Sequence, residues 1–176
     1  VRSVVEAALE HYQAFLDRIA ADPGRRAEYA NEVAYAERKV VDVTDRVTDV
    51  VYTNGWLYLR SSKDAPRFKV VRMPLDRPEI AQAETVIAPG PAVVVGMVGA
   101  RDGLFVTQRD GPTLSLSRVP PAPAGAPLTR EPIALPFAGN VAIDSASSRL
   151  DGVVLELGGW AHATKPWLFD GKALTQ

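Results

Sequence analysis

Cysteine is missing from this sequence altogether. That absence removes disulfides, thiolate nucleophiles and Cys-ligated zinc at one stroke, and it leaves the redox compartment open. Histidine is nearly missing as well, since His11 and His162 are the whole supply. Neither has a second histidine or a carboxylate at metal-ligand spacing, and an open zinc site needs about three converging protein ligands. No metal and no cofactor is expected. An excess of one charge is lacking too: 20 basic and 21 acidic side chains leave a net charge of −1, so no global field steers nucleic acid or an anionic membrane toward the chain. The longest apolar run, Ala92 to Ala100, is half of the roughly 18 residues that a membrane span requires. A soluble protein with no nucleic-acid or membrane partner is expected, its compartment undetermined. The start, Val1-Arg2-Ser3-Val4-Val5-Glu6, carries neither an initiator methionine nor a signal-peptide layout, which points to a segment cut from a longer protein.

What is present falls into two unlike parts. A chain of 176 residues is long enough to bury a real core, either as one domain or as a small helical unit attached to a larger β unit. Over residues 1–46 the pattern is helical: Val5, Leu9, Tyr12, Leu16 and Ile19 recur at three- and four-residue steps, and Asp22-Pro23-Gly24 breaks them. A second stretch sets Tyr29, Val33, Ala36 and Val40 on one side, so a helical hairpin is predicted, either an insertion between blades or an addition. Its nine acidic and seven basic residues are mixed, as on a solvated helix surface; the sharper alternative is that its apolar stripe docks on a partner.

From Val47 to the end, short β-prone runs alternate with Gly, Pro, Asp and Asn, and the runs repeat. "NGWLYLRSS" (54–62), "DGLFVTQRD" (102–110) and "DGVVLELGG" (151–159) each place a turn-forming Asn-Gly or Asp-Gly before an alternating strand, with glycines 48 and 49 residues apart. An apolar run precedes each: "VTDVVYT", "AVVVGMVG" and "GNVAIDSA". A second strand follows each, as "RFKVVRMPL", "TLSLSRVPP" and the shorter "KPWLFDG", and a third follows the first two, as "AETVIAPG" and "REPIALPF". Four strands in nearly fifty residues is the period of a propeller blade. The predicted fold is therefore mainly β, a partial β-propeller over 47–176 with two full four-stranded antiparallel blades and most of a third. The Asn-Gly and Asp-Gly steps are expected to supply the positive φ of tight hairpins. Asp64-Ala65-Pro66, "DGP" (110–112) and "ATKP" (163–166) are expected as turns that each set a proline just before the next strand.

On two stretches the chain resembles the propeller domain of the prolyl oligopeptidase family of serine peptidases. One is "LYLRSSKDAPRFKVVRMPLDRP" (57–78), like the family's blade in which a strand, a short Ala-Pro turn and a second strand lead to an aspartate-containing loop. The other is "IALPFAGNVAIDSASSRLDGVVLELGGWAHATKPWLFDGKAL" (133–174), like its last blades. The resemblance covers roughly three quarters of the chain. It implies a propeller that covers the active site of a separate α/β-hydrolase domain and limits access to short peptides cut after proline. The chain departs from the family in lacking the Gly-x-Ser-x-Gly elbow of the Ser, Asp and His triad, and a seven-bladed propeller would need about 350 residues. The chain alone is thus not expected to be an enzyme, and no catalytic, cofactor-binding or metal-binding residue is expected in it. The expected partners are the hydrolase domain of the same parent and its peptide substrates, with homo-oligomers forming through exposed blade edges. A rival reading, from another class, is a free-standing protein-binding module.

Three tempting features read more plainly as structure. "GMVGARDG" (96–103) fits neither phosphate-binding spacing, and no lysine or helix follows it, so it reads as strand and turn. "DSASS" (144–148) has hydroxyls but no positioned base, and a Ser/Asp-rich turn is what hairpins use. Trp56, Trp160 and Trp167 are expected to fill the space between blades.

Overall fold

The structure, a computed structural model, describes residues 45–76 and 78–176, together with Ala14. The helical hairpin expected over 1–46, and His11 with it, lies outside the described residues apart from Ala14, Asp45 and Arg46. The chain divides into two units between Thr48 and Asp49, and the second runs from Asp49 to Gln176. Twelve strands are described: β1 (Val47–Thr53), β2 (Trp56–Ser61), β3 (Lys69–Pro74), β4 (Glu84–Ile87), β5 (Val93–Ala100), β6 (Gly103–Asp110), β7 (Thr113–Val119), β8 (Glu131–Ile133), β9 (Asn140–Ala146), β10 (Val153–Gly159), β11 (His162–Phe169) and β12 (Leu174–Thr175). They form three four-stranded sheets, β1–β4, β5–β8 and β9–β12, each with its strands in chain order. The architecture is mainly β and resembles a propeller segment.

Alternation decides how the sheets stack. In β2 and β3, Tyr58 and Val70 point toward the second sheet, and with Ile87 they meet Val94, Met97, Leu104, Val106 and Val119 in one core. Phe105, Leu114 and Leu116 point the other way and meet Val141, Val153, Leu155, Leu157 and Phe169 of the third sheet, where the Phe105 and Phe169 rings lie edge to face at 5.9 Å. The middle sheet is thus covered on both sides, and β6 is buried without a break from Gly103 to Gln108. Each fully buried Leu or Val there contributes about 1.5–3 kcal/mol by leaving water.

The structure corrects several sequence expectations. The third blade is complete, because a two-residue β12 pairs Thr175 with Leu168 and Leu174 with Phe169; an element so short carries no periodicity to read. "ATKP" is not a turn. Residues 163–166 lie inside β11, and the turn is Trp160-Ala161, between Gly159 and His162. Pro166 is tolerated in mid-strand because β12 pairs only with Leu168 and Phe169, so on that edge no ladder bond needs a proline N–H. Only Asn54-Gly55 has both residues at positive φ, 53° and 77°, as a type I′ hairpin demands; in the Asp-Gly steps the glycine alone does, at 141° for Gly103 and 79° for Gly152. The link from β9 to β10 spans six residues, 147–152, and is no tight hairpin. Phe68, at φ 66°, ends the turn before β3 instead of opening the strand.

Candidate functional site

Along β3 and β7 the alternation puts one arginine of each on the face turned to the next blade. Arg72 stands opposite Tyr58 on one side and Glu84 on the other; Arg118 stands opposite Phe105 and Glu131. The two arginines do the same work in successive blades.

Arg72 is wholly buried, at 0% exposure. Its Nε donates to Glu84 Oε2 at 2.8 Å, and its two Nη atoms donate to the carbonyls of Ala122 and Pro123 at 2.8 and 2.9 Å, in the connection from β7 to β8. The guanidinium lies 3.8 Å over the Trp56 ring. Glu84 uses its other oxygen to accept the Gly125 N–H at 2.7 Å. Two side chains of the first blade thereby hold three backbone atoms of the second. A guanidinium fork suits this task, because its donors are fixed in one plane and its flat face stacks on an indole. Burial pushes the Tyr58 phenol up, and the hydrogen bond and charge of Arg72 offset only part of that.

Arg118 repeats the arrangement one blade on. It holds Glu131 at 2.7 Å and Asp102 at 2.8 Å, and it donates to the Gly171 carbonyl of the third blade at 3.0 Å. Asp102 in turn accepts the Gly152 N–H at 2.8 Å, so the aspartate read as a turn former also joins two blades. Its neighbour Arg101 forms a two-pronged pair with Asp151 at 2.8 and 2.7 Å. In the third blade the corresponding place is held by Leu168, opposite Thr175 and 47% exposed. The clamp stops there. The sequence did carry a signal for it, since "RMP" (72–74) and "RVP" (118–120) share an Arg-x-Pro step at equivalent blade positions.

The carboxylates here give the fold an acid limit. Burial alone would raise Glu84, but the Gly125 N–H and Arg72 together outweigh it and leave the group below the usual carboxylate value. Asp151 is lowered by the hydrogen bonds and charge of Arg101, and Asp170 by the N–H groups of Ala173 and Lys172. Groups depressed in the folded state stabilise it above their unfolded value, about 4 for a carboxylate, and lose that contribution as pH falls through the folded value. The urea midpoint is therefore expected to be flat from neutral pH down to about 5 and to fall below about 4. Asp151→Asn is expected to flatten that acid limb, and a midpoint indifferent to acid in the unsubstituted chain would contradict the assignment.

The opposite end of the blades is aromatic. His162 stacks flat on Phe137, with centroids 4.1 Å apart and planes within 3°. Around them an open groove of about 470 Å³ is lined by Pro136, Lys165, Trp167 and Gln176 among others. Trp56 and Trp167 pack against the two cores as expected, but Trp160 is fully exposed at its turn. Gly96 to Ala100 is strand, followed by a turn. Asp144 and Ser145 lie exposed in β9, and the Ser147 hydroxyl accepts the Arg149 N–H, the hydrogen bond of a turn. Among the described residues no group of three His, Asp or Glu side chains is placed to hold a metal ion, and no helix is long and apolar enough to cross a membrane.

No protein-family model matches the chain, and no curated protein matches it either. Solved structures do. A chain from a structural and mechanistic study of two prolyl endopeptidases superimposes with a TM-score of 0.59 at 15% identity, over 72% of this chain and 19% of that one. The fold is prolyl oligopeptidase-like. Prolyl oligopeptidase B from Galerina marginata, bound to a 35-residue hydrolysis and macrocyclization substrate, agrees with a TM-score of 0.56 at 19% identity, over 71% of this chain and 17% of that one. Its apo form gives the same values. The likeness to these prolyl oligopeptidases is one of fold, in their propeller region, and the present chain spans less than a fifth of the length of either.

Proposed function

We propose that this chain is the non-catalytic propeller segment of a prolyl-oligopeptidase-like serine peptidase, lying over the active site and admitting only short peptides. The observation that carries this is the superposition of three clamped blades on the propeller region of prolyl endopeptidases over 72% of the chain. Hydrolysis belongs in this reading to an α/β-hydrolase domain of the same polypeptide, with its serine on a Gly-x-Ser-x-Gly-type elbow. The test begins with the parent reading frame on both sides of this segment, which is expected to run into such a domain. The whole parent is then expected to cut a short proline-containing peptide and to spare a folded protein with an exposed proline. A frame without a hydrolase domain removes the peptidase reading, and equal cleavage of both substrates removes the gating.

A free-standing binding module has one specific observation in its favour. His162 to Pro166 are five consecutive exposed residues of β11, on an edge that β12 covers only at Leu168 and Phe169. Sedimentation and unfolding of the chain decide its use: a cooperatively folded monomer supports the independent module, and an oligomer supports an incomplete propeller whose exposed edges associate.

A further inference from the structure

The tip of the β10–β11 hairpin carries the most exposed large apolar side chain among the described residues, Trp160 at 109%. Beside it lies an open groove of about 670 Å³, walled by Pro112 and Thr113 of the second blade and by Asn140, Gly158 and Thr164 of the third. Packing accounts for the glycines there. A Cβ on Gly158 would stand 2.4 Å from Thr164 Oγ1, and one on Gly139 would stand 2.2 Å from the Gly158 carbonyl oxygen, so glycine alone lets these segments close up. Packing does not account for the other side chains. Trp160 is fully exposed, and no hydrogen bond among the described residues engages the side chains of Thr113, Asn140 or Thr164, all three exposed.

The lining is also uncharged throughout, in a chain of which 23% is Asp, Glu, Lys or Arg. This combination restricts the chemistry of a ligand. Without charge in the lining, neither an anion nor a cation is selected. A wholly apolar ligand would cover the indole but strand an amide and two hydroxyls away from water. A ring with one face of C–H groups and a rim of hydroxyls suits both halves of the groove. Its C–H face covers the apolar area of the indole, and its hydroxyls exchange hydrogen bonds with Asn140, Thr113 and Thr164, whose side chains both donate and accept.

We infer that this groove is a binding site for a neutral saccharide, stacked on Trp160 and oriented by Asn140, Thr113 and Thr164. Its size and its mixture of apolar surface with a few placed polar groups are those of small-ligand clefts. Residues of two blades line it, so the site exists only where the second and third sheets are stacked. It needs neither a hydrolase domain nor a peptide, and so stands apart from the peptidase reading.

The test is nuclear magnetic resonance of the isotope-labelled chain, which reads the indole N–H groups of Trp56, Trp160 and Trp167 separately; that of Trp160 is the one lost in Trp160→Tyr. The probes are maltotriose, cellotriose, chitotriose and a mannose-rich glycopeptide, the last separating a sugar carried on protein from a free one. At least one probe is expected to shift the Trp160 signal saturably, with Trp56 and Trp167 unmoved. Affinity in the variants is read from the backbone amides of Gly159 and Asn140. Trp160→Ala is expected to weaken binding at least about tenfold, and Trp160→Tyr, which keeps a flat ring, only about threefold. Asn140→Ala is expected to weaken it about fivefold. The urea midpoint of Trp160→Ala is expected to match that of the unsubstituted chain, because the indole is fully exposed; should it fall, Asn140→Ala carries the test. No saturable shift with any of the four probes, or undiminished affinity in the variants, overturns the inference. So does a Trp160 signal that moves on dilution of the chain alone, which would show a hairpin tip that meets another protein surface.

Discussion

Arg72→Met is expected to cost about 3 kcal/mol of stability, at the low end of what breaking a buried ion pair costs. The substitution keeps an unbranched apolar stem but removes the guanidinium, and with it the stack on Trp56 and every donor. Glu84 is then left without its cation, and the carbonyls of Ala122 and Pro123 lose their hydrogen bonds. The low end applies because the Glu84 side chain is 29% exposed and water recovers part of the charge. Arg72→Met combined with Glu84→Met is expected to cost less than the sum of the single changes, by about 1–3 kcal/mol, because the charge left stranded in the single variant is gone. Urea midpoints of the four chains give the coupling directly. Strict additivity would mean that the pair does not act as a unit.

Gly152→Ala is expected to be as severe, at about 3 kcal/mol or more, by a different route. Gly152 has φ 79°, and a Cβ there would lie 1.7 Å from the Phe169 carbonyl oxygen, a backbone atom that no side-chain rotation clears. Gly55 is the control. Its φ of 77° is nearly the same, but a Cβ would meet nothing within 4 Å, so Gly55→Ala pays only the left-handed backbone cost of about 1–2 kcal/mol. Thermal midpoints of the two variants separate conformational strain from steric exclusion. If both lose the same amount, the close approach of the third blade's strands at Gly152 has no energetic weight.

The pattern of legibility follows from the range of each interaction. The sheet order was readable because hairpin strands are neighbours in sequence, and alternation over six to eight residues is a local signal. β12 was not, since two residues have no period. Pro166 misled because proline before a strand and proline on an unpaired edge look alike until the neighbouring strand is placed. Trp160 misled in the same way: an aromatic at a repeat position is buried only when a neighbouring sheet reaches it. Serine and aspartate in "DSASS" were read as turn chemistry, which holds at Ser147 but not at Asp144 and Ser145, which lie in β9. The clamps were missed although their Arg-x-Pro steps recur, because the glutamate partners sit 12 and 13 residues away and nothing local marks them as partners.

By itself, then, the sequence determined all the strands but β12, the four-strand blade and the near-fifty-residue period, all consequences of side-chain alternation and of glycine and proline chemistry acting over a few residues. Only the tertiary structure decided that Arg72 and Arg118 face the next blade, that a proline-rich strap closes over the first of them, and that Leu168 stands where a third clamp would be. Those choices depend on which face of one sheet meets another. The energy that settles them, apolar surface removed from water together with buried charges that must find partners, exists only once the blades are stacked.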